Sequence, residues 1–299
     1  MEVLLSSPRG FCAGVVRAID VVDICLKKFG SPVYVKHQIV HNPYVVEELE
    51  SRGAITVETV EEIPEGSLVV FSAHGSPPED FEKAKARGLK VIDAVCPLVT
   101  RVHNEAKKYH REGKKVVLVG HQGHQEVRGT MGQVEMTLID DTSEIEFSDW
   151  DPNQEVAVLT QTTLSVGDTA HAIDTIRERF PEAVIRNDIC YATTNRQDAV
   201  TKMAGSVDLV LVIGAETSSN CNRLREVAES LGVPSYLING PEEIDPSWLD
   251  GKEKVGVTSG ASTPEVLVES VIQALAPDKV TMLSGVEEDV TFTLPKELR

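Results

Sequence analysis

The sequence predicts an α/β protein made of three pseudo-repeated units with mostly parallel sheets. Short apolar segments alternate with helical segments of roughly 10–15 residues, which is typical of βαβ units. The short segments are apolar along their whole length, which indicates strands covered by helices on both faces of a sheet. The same order of strand, cysteine-containing turn and helix recurs around Cys12, Cys96 and Cys190.

The repeat predicts where each unit lies. Its period of roughly ninety residues exceeds that of ordinary solenoid repeats, so we expect small domains rather than stacked hairpins. The first unit is predicted at residues 1–95, the second at 96–189 and the third at 190–275. Residues 276–299 are predicted to form a C-terminal strand and tail, in which a terminal strand at 290–294 returns to the first unit.

The short runs of Val, Leu and Ile predict the individual strands, and the longer segments of mixed polarity between them predict the helices. Strands are predicted at residues 3–5, 32–35, 54–57, 68–71, 90–95, 115–120, 156–159, 184–189, 208–214, 234–238, 254–257 and 279–283. Helices are predicted at residues 15–28, 44–52, 78–87, 99–112, 168–179, 195–204, 223–230 and 264–275. An acidic connector recurs at residues 61–63, 143–145 and 242–244.

The charge of the chain excludes some partners. It has 29 basic and 47 acidic residues, for a formal net charge of -18. Such a chain repels a phosphate backbone, so we expect no nucleic-acid partner. No apolar run approaches the roughly 20 residues that cross a bilayer. Because the N-terminus also does not resemble a signal peptide, we expect a cytoplasmic protein without membrane association.

Five cysteines are too few for a disulfide framework, and none of them forms a C-x-x-C pair. Cys12, Cys96 and Cys190 occupy matched positions and are predicted to be metal ligands. Three thiolates can hold an iron–sulfur cluster that leaves one iron without a cysteine, whereas three cysteines and a histidine can hold zinc. The wide spacing favours the cluster. Cys25 and Cys221 are expected to have packing roles.

Several polar side chains follow predicted strands, and such strand-to-helix loops share one edge of a parallel sheet. His41, His74 and His124 each open a turn before a helix, which together with residues 218–220 suggests an anion or metal site. Glu126 is either a helix-start carboxylate or a proton donor with a raised pKa. Four of the other histidines are expected to be structural: His37 in an extended run, and His103, His110 and His171 on helix surfaces.

The chain contains a series of motifs from its first residues to its last. They are P-R-G-F-C-A-G-V from Pro8, V-H-N-P-Y-V-V from Val40, F-S-A-H-G from Phe71, D-A-V-C-P-L-V-T from Asp93, G-H-Q-E-V-R-G-T-M-G-Q from Gly123, T-Q-T-T-L-S-V from Thr160, D-I-C-Y-A-T-T-N-R-Q from Asp188, S-S-N from Ser218, G-A-S-T-P from Gly260 and P-K-E-L-R at the end. By these motifs the sequence resembles the 4-hydroxy-3-methylbut-2-enyl diphosphate reductase family.

The resemblance implies a three-lobed α/β protein around a central 4Fe-4S cluster. It implies that Cys12, Cys96 and Cys190 hold the cluster and leave one iron position open. It further implies that Glu126 donates a proton and that His124 and Thr162 lie around the substrate hydroxyl. The implied diphosphate pocket consists of His41, His74, Ser218, Ser219, Asn220 and Ser262.

The implied reaction is a two-electron reductive dehydroxylation of an allylic diphosphate to isopentenyl and dimethylallyl diphosphate, the last step of the non-mevalonate pathway. The implied electron donor is a small protein such as a ferredoxin or a flavodoxin. The chain departs from the family pattern at Gln125, where proline is common, at Ser76, where a small apolar residue is usual, and at Cys221, where serine or threonine is common. A zinc-dependent hydrolase and a non-catalytic anion-binding protein are the alternative classes.

Overall fold

Strands and helices alternate as predicted along the part of the chain that the structure describes. A computed structural model describes residues 1–140, 147 and 150–299, with the backbone alone described at residues 166 and 168. The strands are β1 (Glu2–Leu5), β2 (Val33–Lys36), β3 (Ala54–Val57), β4 (Leu68–Phe71), β5 (Lys90–Asp93), β6 (Lys115–Val119), β7 (Thr137–Ile139), β8 (Val156–Thr160), β9 (Val184–Ile185), β10 (Leu209–Ile213), β11 (Ser235–Ile238), β12 (Lys254–Ser259) and β13 (Lys279–Met282). The helices are α1 (Ala13–Phe29), α2 (Pro43–Ser51), α3 (Pro78–Ala86), α4 (Pro97–Arg111), α5 (Gln125–Met131), α6 (Val166–Arg179), α7 (Tyr191–Ala204), α8 (Ser219–Ser230) and α9 (Glu265–Leu275).

The structure adds elements that the sequence pattern did not show. The second repeat contains a helix and a short strand, α5 and β7, at the places where α2 and β3 lie in the first. Helix α7 begins at Tyr191, directly after Cys190, and not at residue 195 as predicted. The acidic connectors at residues 61–63 and 242–244 overlap short 3-10 helices, and the connector at 143–145 lies outside the described residues.

The parallel sheets of the described chain share one strand order. The two four-stranded sheets have the orders β3-β2-β4-β5 and β7-β6-β8-β9, and the five-stranded sheet has the order β11-β10-β12-β1-β13. Strand β1 therefore takes the place in the five-stranded sheet that β5 and β9 take in the others. These three strands are the ones that lead into the predicted cysteine turns. The sequence repeat is thus also a repeat of sheet topology.

Strand β1 pairs in the five-stranded sheet, although the predicted range 1–95 groups it with the strands of the first repeat. Val3 of β1 lies opposite Val255 of β12 on one side and Val280 of β13 on the other. Strands β5 and β9 each pair with the strand before them in the chain, β4 and β8. Strand β1 pairs instead with β12 of the third repeat, and β13 is the edge strand of that sheet. Residues 290–294 form no strand.

The described residues form two compact units. The one-sheet unit consists of Met1–Val16, His41–Glu47 and Tyr191–Thr291, and it contains the five-stranded sheet. The two-sheet unit consists of Arg17–Val40, Glu48–Cys190 and Phe292–Arg299, and it contains both four-stranded sheets. The predicted ranges 1–95, 96–189, 190–275 and 276–299 follow the sequence repeat and stay a prediction about domains.

Both faces of the five-stranded sheet are buried. Leu211 and Val257 pack on one face with Val268 of α9, while Val212 packs on the other with Met203 of α7. Helices on both faces explain why these strands are apolar throughout, and they leave the carboxyl ends of the strands as the polar edge. No helix in the described part of the chain is long and apolar enough to cross a lipid bilayer.

Candidate active site

The three predicted ligand cysteines have the same main-chain hydrogen bond. The N–H of Cys96 donates to the carbonyl of Ala73 (2.9 Å), that of Cys190 to Thr162 (3.0 Å) and that of Cys12 to Ala261 (3.1 Å). Each acceptor lies in the loop after the strand that pairs with the cysteine-bearing strand. Every cysteine turn is therefore fixed against a neighbouring loop at the carboxyl edge of its sheet.

These hydrogen bonds place each cysteine beside predicted substrate residues. Ala73 precedes His74, Thr162 is itself a predicted site residue, and Ala261 precedes Ser262. Within the two-sheet unit the structure thus brings Cys96 to the His74 loop and Cys190 to the Thr162 loop. Within the one-sheet unit it brings Cys12 to the Ser262 loop. The pairing of one cysteine with one polar loop recurs in all three repeats.

Burial separates the five cysteines into two groups. Cys12, Cys96 and Cys190 are partly exposed, whereas Cys25 and Cys221 are fully buried. Burial raises the pKa of the Cys25 and Cys221 thiols to about 11, so both stay protonated at neutral pH. Metal ligands must be thiolates, and the three partly exposed cysteines at polar sheet edges suit a metal or cluster better than the two buried thiols.

Two hydrogen bonds from Thr162 hold the side chain of Glu126. The Thr162 N–H donates to Glu126 Oε1 (2.7 Å), and the Thr162 hydroxyl donates to Oε2 (2.9 Å). The carboxyl group is 4% exposed and lies in the first turn of α5. Since the carbonyl of the same Thr162 accepts from the Cys190 N–H, one residue connects the carboxyl group to the cysteine turn.

The surroundings of Glu126 favour its protonated form. Burial raises the pKa of the Glu126 carboxyl to about 7, even though the two Thr162 hydrogen bonds oppose the shift, and the negative charge of Asp188 adds to it. A carboxyl group with a pKa near neutrality can both give and accept a proton at physiological pH. Of the two readings of Glu126, the structure therefore favours a proton donor over a solvated helix-start carboxylate.

His124 caps the helix that carries Glu126. Its Nδ1 accepts the Glu126 N–H (3.2 Å), and burial lowers the pKa of the His124 ring to about 4. The ring is therefore neutral, and because Nδ1 is an acceptor, its proton lies on Nε2. The His74 ring lies edge-on to it, with 6.2 Å between ring centroids. His124, His74, Glu126 and Thr162 form one cluster in the two-sheet unit.

His37 belongs to the same group of side chains, although the sequence indicated only a structural role. Its ring lies edge-on to His74 at 5.8 Å, and its Nδ1 is 2.9 Å from Glu58 Oε2. Its φ is +60°, a conformation that non-glycine residues rarely adopt and that is enriched at functional sites. Its position after β2 is the available sequence signal, since His124 follows β6, the matched strand of the second repeat, and His74 follows the neighbouring strand β4. His103, expected on a helix surface, is buried.

The one-sheet unit contains the predicted anion-binding residues. Ser218 caps α8, and its hydroxyl accepts the Cys221 N–H (3.4 Å). Asn220 is 95% buried, yet neither its side-chain oxygen nor its nitrogen has a hydrogen-bond partner in the structure. The Ser262 hydroxyl donates to the main-chain carbonyl of His41 (3.0 Å). An unsatisfied buried amide is costly, so Asn220 has the character of a group that binds a ligand.

Comparison with known proteins identifies the family. A sequence model of the family described as LytB protein matches residues 3–276. The chain belongs to the LytB family. Its full length aligns with 98% of a protein from Aromatoleum aromaticum at 52% identity, and with 98% of one from Pseudomonas syringae pv. tomato at 50%. Both relatives are named 4-hydroxy-3-methylbut-2-enyl diphosphate reductase.

Two solved reductase structures have the same fold as this chain. The structure of the E-1-hydroxy-2-methyl-but-2-enyl-4-diphosphate reductase from Plasmodium falciparum matches the whole chain and 96% of its own chain, with a TM-score of 0.94 and 36% identity. A second structure, of (E)-4-hydroxy-3-methyl-but-2-enyl diphosphate reductase, the terminal enzyme of the non-mevalonate pathway, matches 92% of this chain and 99% of its own, with a TM-score of 0.66 and 35% identity.

The three residues at which this LytB protein departs from the family pattern, Gln125, Ser76 and Cys221, are all buried. The Ser76 hydroxyl has no hydrogen-bond partner in the structure. The Cys221 sulfur fits against two glycines, since a Cβ added at Gly260 would lie 2.2 Å from it and one added at Gly214 would lie 2.3 Å from it. Cys221 is therefore a packing residue, as predicted, and its thiol is enclosed.

Proposed function

We propose that this chain catalyses the reductive dehydroxylation of 4-hydroxy-3-methylbut-2-enyl diphosphate to isopentenyl diphosphate and dimethylallyl diphosphate. The names of its full-length relatives and of the matching solved structures support the substrate and the pathway. The single observation that carries the chemistry is the buried Glu126 carboxyl, fixed by Thr162 at the Cys190 turn. Incubation of the reduced protein with this substrate, with both products quantified, tests the proposal.

The reaction balances with two electrons and two protons. The allylic carbon–oxygen bond breaks, one proton joins the departing oxygen to give water, and a second proton joins the allylic carbon. The position that takes this second proton determines which of the two products forms. The protein must therefore supply a reducing centre, a proton for the leaving group and a site for the diphosphate.

Cys12, Cys96 and Cys190 would hold the reducing centre. Their matched turns and partial exposure fit three thiolate ligands, and each is fixed by a main-chain bond that needs no metal. When bound, a 4Fe-4S cluster with one iron free of cysteine supplies electrons and a Lewis-acid position for the substrate hydroxyl. A small redox protein such as a ferredoxin or a flavodoxin would deliver the electrons one at a time.

Glu126 would protonate the departing oxygen. Hydroxide is a poor leaving group, and a buried carboxyl with a pKa of about 7 holds a proton at working pH. Thr162 donates hydrogen bonds to both carboxyl oxygens of Glu126. These bonds would limit rotation of the carboxyl group and so hold its proton in a fixed orientation. The neutral His124 ring next to it carries its proton on Nε2 and would orient the substrate hydroxyl by a hydrogen bond.

The diphosphate would be bound mainly by hydrogen bonds. The chain is strongly acidic, so the anion requires a local arrangement of donors rather than the field of the whole protein. Ser218, Ser219 and Asn220 lie at the N-terminus of α8, whose free N–H groups favour an anion. His41, His74 and Ser262 would complete the pocket.

The rate is expected to fall as the pH rises through about 7. Glu126 must be protonated to act as the acid, and its pKa in the free protein is about 7. Above that pH the protonated fraction decreases about tenfold per unit, and kcat/KM, which reports the free enzyme, should decrease with it. The pH dependence of kcat/KM between pH 6 and 9 measures this. Glu126→Gln should lack this descending limb, and a wild-type profile that is flat across this range would contradict the assignment.

Substrate affinity is expected to depend on His74 and Asn220. A hydrogen bond to a charged group contributes about 1.5–3 kcal/mol, so His74→Asn and Asn220→Ala should each weaken binding roughly ten- to a hundredfold. Isothermal titration of the cluster-loaded protein measures the dissociation constant, and the visible spectrum should not change. His110→Asn, at an exposed histidine of α4, is the control. Unchanged dissociation constants in both variants would place the diphosphate elsewhere.

A further inference from the structure

Arg17 holds the backbone of the Cys96 turn in the two-sheet unit. Its Nη1 donates to the carbonyls of Ala94 and Val95, both at 3.0 Å, and these are the two residues that precede Cys96. Its Nε donates to the carbonyl of Thr293 in the C-terminal tail (2.8 Å). The side chain belongs to α1 and is only 8% exposed. A buried guanidinium thus joins the tail to a cysteine turn.

Arg196 has the equivalent position behind the Cys12 turn in the one-sheet unit. It is 0% exposed, and its Nη2 donates to the carbonyl of Gly10 (2.8 Å), two residues before Cys12. Its Nη1 is 3.0 Å from Glu288 Oε1, and Asn195 donates to the same oxygen at 3.0 Å. Glu288 belongs to the C-terminal tail, so here too a buried arginine joins the tail to a cysteine turn.

The tail also lies directly against the start of the Cys12 turn. The Leu283 N–H donates to the carbonyl of Leu5 (2.9 Å), which continues the pairing of β13 with β1. A Cβ added at Gly285 would lie 1.8 Å from the carbonyl oxygen of Ser7, so this position admits only glycine. Residues 283–291 contain no helix or strand, and these side-chain and backbone contacts keep them in place.

The two arginines have different charged neighbours. The hydrogen-bond acceptors of Arg17 are neutral carbonyls, and its positive charge is attracted by Asp93 and by Cys96. The charge of Arg196 is balanced by Glu288. Fixed charges and hydrogen bonds around the ligands are among the factors that set the potential of an iron–sulfur centre.

We propose that the C-terminal tail is a positioning element, which acts through Arg17 and Arg196 to fix the Cys96 and Cys12 turns and to set the reduction potential of the cluster that they hold. This rests on the proposed function. It assigns to Glu288 and Arg17 opposite effects on the potential, because one contributes a negative charge and the other a positive charge. A tail that only stabilised the fold would not produce opposite shifts.

The test uses full-length Arg17→Gln, Glu288→Gln and the control Glu287→Gln, an exposed neighbour in the same tail. Redox titration of the cluster-loaded proteins should give a lower potential for Arg17→Gln and a higher one for Glu288→Gln, with no shift in the control. In each of these two variants we expect the equilibrium constant between oxidised and reduced protein to change at least tenfold. For a one-electron couple, that corresponds to a shift in reduction potential of about 59 mV. Shifts of the same sign, or no shift in either variant, would overturn the proposal.

A second measurement does not depend on the cluster. In metal-free protein, hydrogen–deuterium exchange of the Cys96 main-chain N–H should be at least tenfold faster in Arg17→Gln, and exchange of the Cys12 main-chain N–H should be at least tenfold faster in Glu288→Gln, because each N–H is bonded to a neighbouring loop only while its turn is fixed. Mass spectrometry of the labelled peptides reads each rate, and circular dichroism confirms that the variants are folded. Unchanged rates in both folded variants would overturn the positioning role. A wild-type protein without iron and sulfide would instead overturn the proposed function.

Discussion

The Glu126→Gln variant is expected to bind substrate and to accept electrons, yet to turn over at least ~100-fold more slowly than the wild type. Glutamine is nearly isosteric with glutamate and can keep the hydrogen bond from the Thr162 N–H. It has no proton of useful acidity to give to the departing oxygen. General acid catalysis by a positioned group is typically worth about 10²–10⁴-fold, which sets the size of the effect.

Single-turnover reduction of substrate by the pre-reduced variant separates proton transfer from electron transfer. Glu135→Gln, an exposed glutamate shortly after α5, is the matched control and should keep the wild-type rate. Thr162→Val should show a milder defect, because it removes the hydroxyl bond to Oε2 but leaves the acid in place. A wild-type single-turnover rate in Glu126→Gln would mean that the proton comes from elsewhere, with the substrate's own diphosphate as the leading candidate, because the buried His124 ring is neutral.

The Cys12→Ser, Cys96→Ser and Cys190→Ser variants are each expected to lose most of their iron and nearly all activity. Each repeat contributes one thiolate, and a serine hydroxyl remains protonated at neutral pH and replaces a thiolate ligand poorly. Iron and sulfide assays together with the visible absorption of the anaerobically purified variants measure the loss. Because the three turns have the same main-chain hydrogen bond, we expect the three defects to be similar in size.

Cys25→Ser and Cys221→Ser are the controls for this series. Both side chains are 0% exposed, and neither cysteine lies on a turn of the repeated kind. Their replacement should leave the iron content unchanged, at a stability cost of about 1–3 kcal/mol for burying a hydroxyl. Full iron content in Cys96→Ser, or loss of iron in Cys25→Ser with the fold intact, would overturn the ligand assignment.

The fold class could be predicted from the sequence because strand and helix patterns are local. Parallel strands with both faces covered are apolar throughout, and this pattern identified every strand of the described residues except the short β7. The placement of β1 could not be predicted this way. Its partner β12 is about 250 residues away in the chain, and only pairing in space shows that β1 completes the third repeat.

The candidate site was predictable in its residue types but not in its geometry. The matched positions of Cys12, Cys96 and Cys190 marked the three turns, and the motifs marked Glu126. The hydrogen bonds from Thr162 to Glu126 join residues that are 36 positions apart, so no local pattern contains them. The position of His37 beside His74 was missed because an extended run gives no sign of a left-handed φ.

The iron and sulfide content of anaerobically purified full-length protein tests the central claim most directly. If Cys12, Cys96 and Cys190 hold a 4Fe-4S cluster, the protein is coloured and contains about four iron atoms and four sulfides per chain. A colourless protein with zinc and neither iron nor sulfide would contradict the account and would favour a zinc-dependent hydrolase. A colourless metal-free protein that still binds the diphosphate would favour a non-catalytic anion-binding protein.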